Sequence, residues 1–86
     1  MTIKKQLVKR NIAGDVILVP VGDSSLTLKG LITLNETAEF IWDRLADAAD
    51  AAELAAALCG EYEIDAATAR SDVDEILAQF RELEII

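Results

Sequence analysis

The chain is predicted to fold as an α+β domain, an N-terminal three-stranded antiparallel β-meander followed by three α-helices. Three observations carry this prediction. Apolar residues alternate with period two as far as Leu34, and from Asn35 onward they recur at helical spacing. Asn35 and Asp50 stand where helix caps belong. Almost no chain is left between the helical stretches for long loops.

The elements follow in order. Leu7 to Ile12 is a short candidate strand, closed by the turn signal Ala13-Gly14-Asp15. Val16-Ile17-Leu18-Val19 is apolar on both faces and rich in β-branching, as suits a central strand. Pro20 has no N–H for a ladder bond, so this strand ends there or lies exposed at that point. Gly22-Asp23-Ser24-Ser25 is a turn. The third strand runs from Leu26 to Leu34 with Leu26, Leu28, Gly30, Ile32 and Leu34 on one face, and Gly30 marks a bend or bulge.

Helix one starts after the Asn35 cap and spans about residues 36–47, turning Ala38, Ile41, Trp42 and Leu45 inward. Helix two spans about 51–62. It opens on Asp50-Ala51-Ala52-Glu53, which has the spacing of a capping box, and its stripe is Leu54, Ala57, Leu58 and Tyr62. Helix three begins after Asp65 and runs to about residue 83. Ala69, Val73, Ile76, Leu77 and Phe80 gather on a core-facing stripe about 100° wide. The closing Leu83-Glu84-Ile85-Ile86 is apolar enough to fold back on the body.

Composition bounds what this fold can do. Eighty-six residues make a single domain spanning 1–86, and 52% hydrophobic residues exclude disorder. No apolar run approaches the ~20 residues of a membrane span, and the start lacks the apolar stretch of a signal peptide. The lone Cys59 cannot form an internal disulfide, which fits a reducing compartment, so the expected location is the cytoplasm. Residues 1–35 carry five cations against two acids; residues 36–86 carry fourteen acids against Arg44, Arg70 and Arg81. A helical half with that charge repels phosphate backbones, so no nucleic acid partner is expected.

Catalytic chemistry is hard to find. Without histidine the chain lacks the usual base of a triad or Cys–His pair, and one cysteine makes no zinc site. Asp72, Asp74 and Glu75 lack the glycine-punctuated spacing of a calcium loop. Asp23-Ser24-Ser25-Leu26 distantly resembles the phosphopantetheine serine motif of acyl carrier proteins. A second serine interrupts it, however, and apolar strand-like segments flank it where a carrier needs a helix. The expectation is therefore a non-enzyme without metal or cofactor.

A small sheet beside three helices, the last two joined by a short turn, suggests a winged helix-turn-helix arrangement. Helix three displays Ser71, Asp72, Asp74, Glu75 and Glu82 in place of a DNA reader's basic and amide side chains. Such a sheet still has open edges, and an extended peptide can add to one as a further strand. Leu77, at the margin of its stripe beside Arg70, Asp74 and Arg81, fits two descriptions. It is part of a groove wall, or it is ordinary core and Arg70–Asp74 is an i,i+4 pair. In the first case Leu77→Asp weakens peptide binding with the fold intact; in the second it unfolds the chain. The same edge also suits a dimerising structural adaptor, giving a possible homodimer.

Leu34-Asn35-Glu36-Thr37 with Ile41-Trp42 and Leu45, then Glu53-Leu54, Leu58, Tyr62, Asp72-Val73, Ile76-Leu77 and Leu83, resembles the PqqD-like family over about residues 5–86. Its founding member takes part in pyrroloquinoline quinone biosynthesis. The resemblance implies a winged-helix recognition element for ribosomally synthesised, post-translationally modified peptides. The leader segment of the precursor peptide would add to the third strand and pack against the third helix. The pair would then present the precursor to a modifying enzyme, often a radical S-adenosylmethionine enzyme. Carried onto this chain, Leu26, Thr27, Leu28, Lys29, Leu31, Ile32 and Thr33 give the pairing edge. Arg70, Val73, Asp74, Leu77 and Arg81 give the helix wall. Ala38, Glu63 and Glu84 stand where many members have glycine, so the turns at Glu63 and Glu84 are expected to differ.

Overall fold

The computed structural model describes residues 1–23 and 32–86. Within them the chain forms β1 (Leu7–Ile12), β2 (Asp15–Pro20), β3 (Ile32–Leu34), α1 (Glu36–Leu45), α2 (Ala51–Glu61) and α3 (Ala66–Glu82). The strands make an antiparallel sheet in the order β1-β2-β3, so the α+β architecture read from the sequence is the one observed. Of the strand expected over Leu26–Leu34, residues 24–31 lie outside the described residues, and with them the Ser24-Ser25 part of the turn and the bend at Gly30.

Local chemistry explains the strand layout. Ile12 pairs with Asp15, so Ala13 and Gly14 are the two residues of a tight hairpin. Both have positive φ, 53° and 86°, as a type I′ turn requires. Pro20 ends β2 opposite Leu7, where its missing N–H costs no bond to β1, and pairing continues one step on through the Val21 N–H to the Gln6 carbonyl at 2.9 Å. Val16 faces Leu34 and Leu18 faces Ile32 across the strands, which puts these four on one side of the sheet. Leu18 and Leu34 are buried in the core there.

Each helix begins on a side-chain cap. Asn35 Oδ1 accepts from the Ala38 N–H at 2.8 Å, Asp50 Oδ1 from the Glu53 N–H at 2.9 Å, and Asp65 Oδ1 from the Thr68 N–H at 2.7 Å. The capping box of α2 closes one residue early, because Glu53 Oε2 takes the N–H of Ala49 at 3.0 Å. At the other end of α3 the Ile85 N–H reaches the Phe80 carbonyl (2.8 Å) and the Glu84 N–H reaches Arg81 (3.0 Å), the two bonds of a Schellman motif. Glu84 takes the left-handed position at φ 59°. The tail then folds back as the sequence suggests: Ile85 is fully buried, and its carbonyl accepts from the Lys4 N–H at 2.6 Å. Glu63, by contrast, needs no left-handed backbone. α2 leaves through an extended Tyr62 at φ −120° and ψ 151°, so the missing glycine there is without consequence.

The core is a single cluster in which all five α3 stripe residues, Ala69, Val73, Ile76, Leu77 and Phe80, are buried. α1 differs slightly from expectation: Phe40 is buried and Trp42 only half-buried. Aromatic contacts account for this. Phe40 meets the Tyr62 ring edge-on at 5.6 Å and carries the Arg44 guanidinium 3.6 Å above its face, while Trp42 packs edge-on against Phe80 at 6.1 Å. α2 likewise buries Ala55 in place of Ala57. Among the described residues no helix is long and apolar enough to cross a membrane.

Candidate functional site

Among the described residues β3 is an edge strand, paired to β2 on one side only. A groove of about 300 Å³ runs alongside it. One bank is β3 itself, Ile32, Thr33 and Leu34, continuing into Asn35, Thr37 and Ala38 at the start of α1. The other bank is α3, through Asp72, Glu75, Ile76, Gln79, Phe80 and Leu83. Ile76 and Phe80 are core residues that form its floor, Leu83 is half-buried, and Glu75 and Gln79 are exposed.

Sequence dictates this geometry step by step. β3 passes directly into the Asn35 cap, so the first turn of α1 lies against the end of the strand. Tyr62, where α2 ends, donates its hydroxyl to Glu36 Oε1 at 3.2 Å and ties the α2 exit to the same turn. Desolvation, then the nearby Glu36 carboxylate, raises the Tyr62 pKa above the usual phenol value. On the far side of the sheet edge, Lys9 Nζ of β1 bonds Glu39 Oε2 at 2.8 Å and Asp43 at 2.8 and 3.0 Å. Asp43 first and Glu39 second raise its pKa, the mark of an ammonium held between carboxylates. The sheet is thereby fixed to α1, and the Asp65 cap fixes the start of α3.

An edge strand beside such a groove has the geometry to accept an extended backbone by strand addition. Among the described residues no cluster of His, Cys, Asp and Glu suits a metal ion. Cys59 is half-buried beside a dimple of about 240 Å³ between α2 and α3, lined by Ala52, Ala55, Ala56, Ala66 and Arg70.

The residues singled out from the sequence are distributed as follows. Ile32 and Thr33 line the groove. Leu26, Thr27, Leu28, Lys29 and Leu31 lie outside the described residues. On α3, Val73 and Leu77 are buried in the core, at 0% and 1% exposure. Arg70 is paired with Asp74, Nε to Oδ1 at 2.9 Å, and both are exposed, as is Arg81. None of these five lines the groove. The helical wheel gives the reason: at ~100° per residue, Arg70, Asp74 and Arg81 flank one margin of the buried stripe, whereas Asp72, Glu75, Gln79 and Leu83 flank the other. Sequence alone presents both margins as apolar residues bordered by charge. The signal for the margin that lines this groove was the seven-residue step from Ile76 to Leu83 with uncharged Gln79 between them.

Comparison with known proteins bears on this geometry. The family model for Coenzyme PQQ synthesis protein D (PqqD) matches residues 16–86. No curated protein matches the chain. A solved structure of TbiB1 in complex with the TbiA(beta) leader peptide is similar in fold, with a TM-score of 0.74 and 24% identity over 99% of this chain and 93% of that one.

Proposed function

The chain belongs to the PqqD family, and on that premise we propose that it is a non-catalytic module that binds the leader of a ribosomally synthesised precursor peptide. The leader adds as a strand to β3, places alternate side chains in the groove beside α3, and is thereby delivered to a modifying enzyme of the radical S-adenosylmethionine type in the cytoplasm. The observation that carries this reading is the juxtaposition of an open strand edge with the apolar floor of Ile76 and Phe80. The fold relative that was solved with a leader peptide supports it.

The division of labour follows from magnitudes. Each backbone hydrogen bond adds a net 0.5–1.5 kcal/mol, roughly, so the few that a short strand makes fall short of the ~8 kcal/mol of micromolar binding. Apolar side chains entering the groove supply the remainder and the selectivity. Delivery then works through effective concentration: a tethered precursor meets the enzyme at up to about millimolar local concentration.

The test is fluorescence anisotropy with a labelled leader from the precursor encoded nearby, followed by the enzyme's reaction with and without the chain. Anisotropy rises on titration, and the chain's effect on modification rate fades as free precursor approaches saturation. An anisotropy unchanged by excess chain refutes the reading. Light scattering that shows self-paired chains dissolving no further with leader points to the adaptor instead.

A further inference from the structure

Resting on the reading of the groove as a peptide site, we propose that its guest is a cationic strand, one that sets a lysine or arginine against Asp72 and Glu75 and an apolar residue over Ile76 and Leu83. The groove has two chemically different ends. Asp72 and Glu75 form an acidic end in the second and third turns of α3, and among the described residues no Lys or Arg lines the groove. Neither acid joins an ion pair among the described residues. The ion pairs among the described residues are those of Lys9 with Glu39 and Asp43, and of Arg70 with Asp74.

These two carboxylates line the groove beside β3 in a chain of net charge −8. A cleft of one sign focuses potential and draws the opposite charge. An acidic guest side chain placed there faces like charges, so the same residues reject as well as select.

Spacing makes the proposal specific. Helix rise places Ile76 about 6 Å along the axis from Asp72 and Leu83 about 12 Å from Glu75. A strand covers these in about two and four residues at roughly 3.3 Å each, and alternate residues share a face. The guest therefore carries its cation two or four positions from its apolar anchor, in one order if it runs parallel to β3 and the reverse if antiparallel.

The test is selection of a displayed library of random nine-residue peptides on the intact chain, on the charge-reversed variant Asp72→Lys/Glu75→Lys, and on Gln79→Trp, whose indole fills the groove from an exposed position. Far-UV circular dichroism checks that each variant stays folded. Peptides taken by the wild type are expected to carry Lys or Arg at that spacing and to lose about tenfold in affinity when it becomes Glu, since each exposed pair contributes about two- to fivefold. The charge-reversed variant is expected to select Asp or Glu at the same place. Peptides that Gln79→Trp excludes but that show no charge preference overturn the cationic guest and leave peptide binding standing. If Gln79→Trp takes the same peptides as the wild type, the groove is no peptide site and both readings fall.

Discussion

Among the described residues, two hold left-handed backbone without being glycine. Glu84 occupies the C′ position of the Schellman motif at φ 59°, and Ala13 the first turn position of the β1–β2 hairpin at φ 53°. Such conformations cost an L-residue about 1 kcal/mol. Glu84→Gly is therefore expected to raise stability by about 0.5–1 kcal/mol in urea unfolding, after the entropy of the unfolded glycine is set against the relief. Ala13→Asn, which brings the residue that type I′ turns favour, is expected to gain a similar amount. An unchanged unfolding midpoint for both contradicts the left-handed assignment. The glycine-to-glutamate departure at Glu84 was visible in the sequence, but that Glu63 escapes the same strain was not. Whether α2 ends in a left-handed residue or in an extended Tyr62 depends on where Phe40 receives the Tyr62 ring, a contact between distant parts of the chain.

At the scale of the element, α3 joins core, cap and groove. Its buried stripe was fully legible, because five apolar residues at helical spacing leave one solution. Which margin of that stripe borders the strand was not, since the answer depends on how α3 rolls over the sheet. Leu77 at 1% exposure belongs to the core. Leu77→Ala is expected to cost about 2–5 kcal/mol, and Leu77→Asp to abolish the far-UV helical signal by burying an unpaired charge. A native spectrum for Leu77→Asp contradicts the packing. The Asp65 cap gives α3 a pH dependence. Backbone donation from Thr68, then its side-chain contact, holds the Asp65 carboxyl below the usual aspartate range. A carboxyl whose folded pKa is depressed stabilises fully above its unfolded pKa and loses that contribution as pH falls through the folded one. Asp65→Asn keeps an acceptor but no titration. The gap in unfolding midpoint between wild type and Asp65→Asn is thus expected to be constant from about pH 7 to 5 and to shrink below about pH 4. A gap that does not change with acid contradicts the cap's ionised role.

At the scale of the whole molecule, long-range contacts tie sheet and helices together. Lys9 binds β1 to α1, Ile85 and Lys4 join the two ends of the chain, and Tyr62 links α2 to the start of α1. All of these lie outside the groove lining, so a guest can enter without displacing any of them. Meander and three helices were legible because they follow from period and caps. The groove's lining was not, because it brings β3 and α3 together across some forty residues of sequence, and periodicity carries no record of that meeting. Trp42 offers a built-in reporter, since it packs on Phe80 in the groove floor and is the single tryptophan. Its emission is expected to shift when a peptide binds, and an invariant spectrum at saturation would show that the floor is untouched. The most direct measurement is intermolecular NOE spectroscopy on isotope-labelled chain with bound leader peptide. Cross-strand contacts between the peptide backbone and Ile32–Leu34, together with side-chain contacts to Ile76 and Leu83, are the expected result. Contacts confined to the alanine-lined dimple between α2 and α3, or to the β1 edge, contradict strand addition at β3.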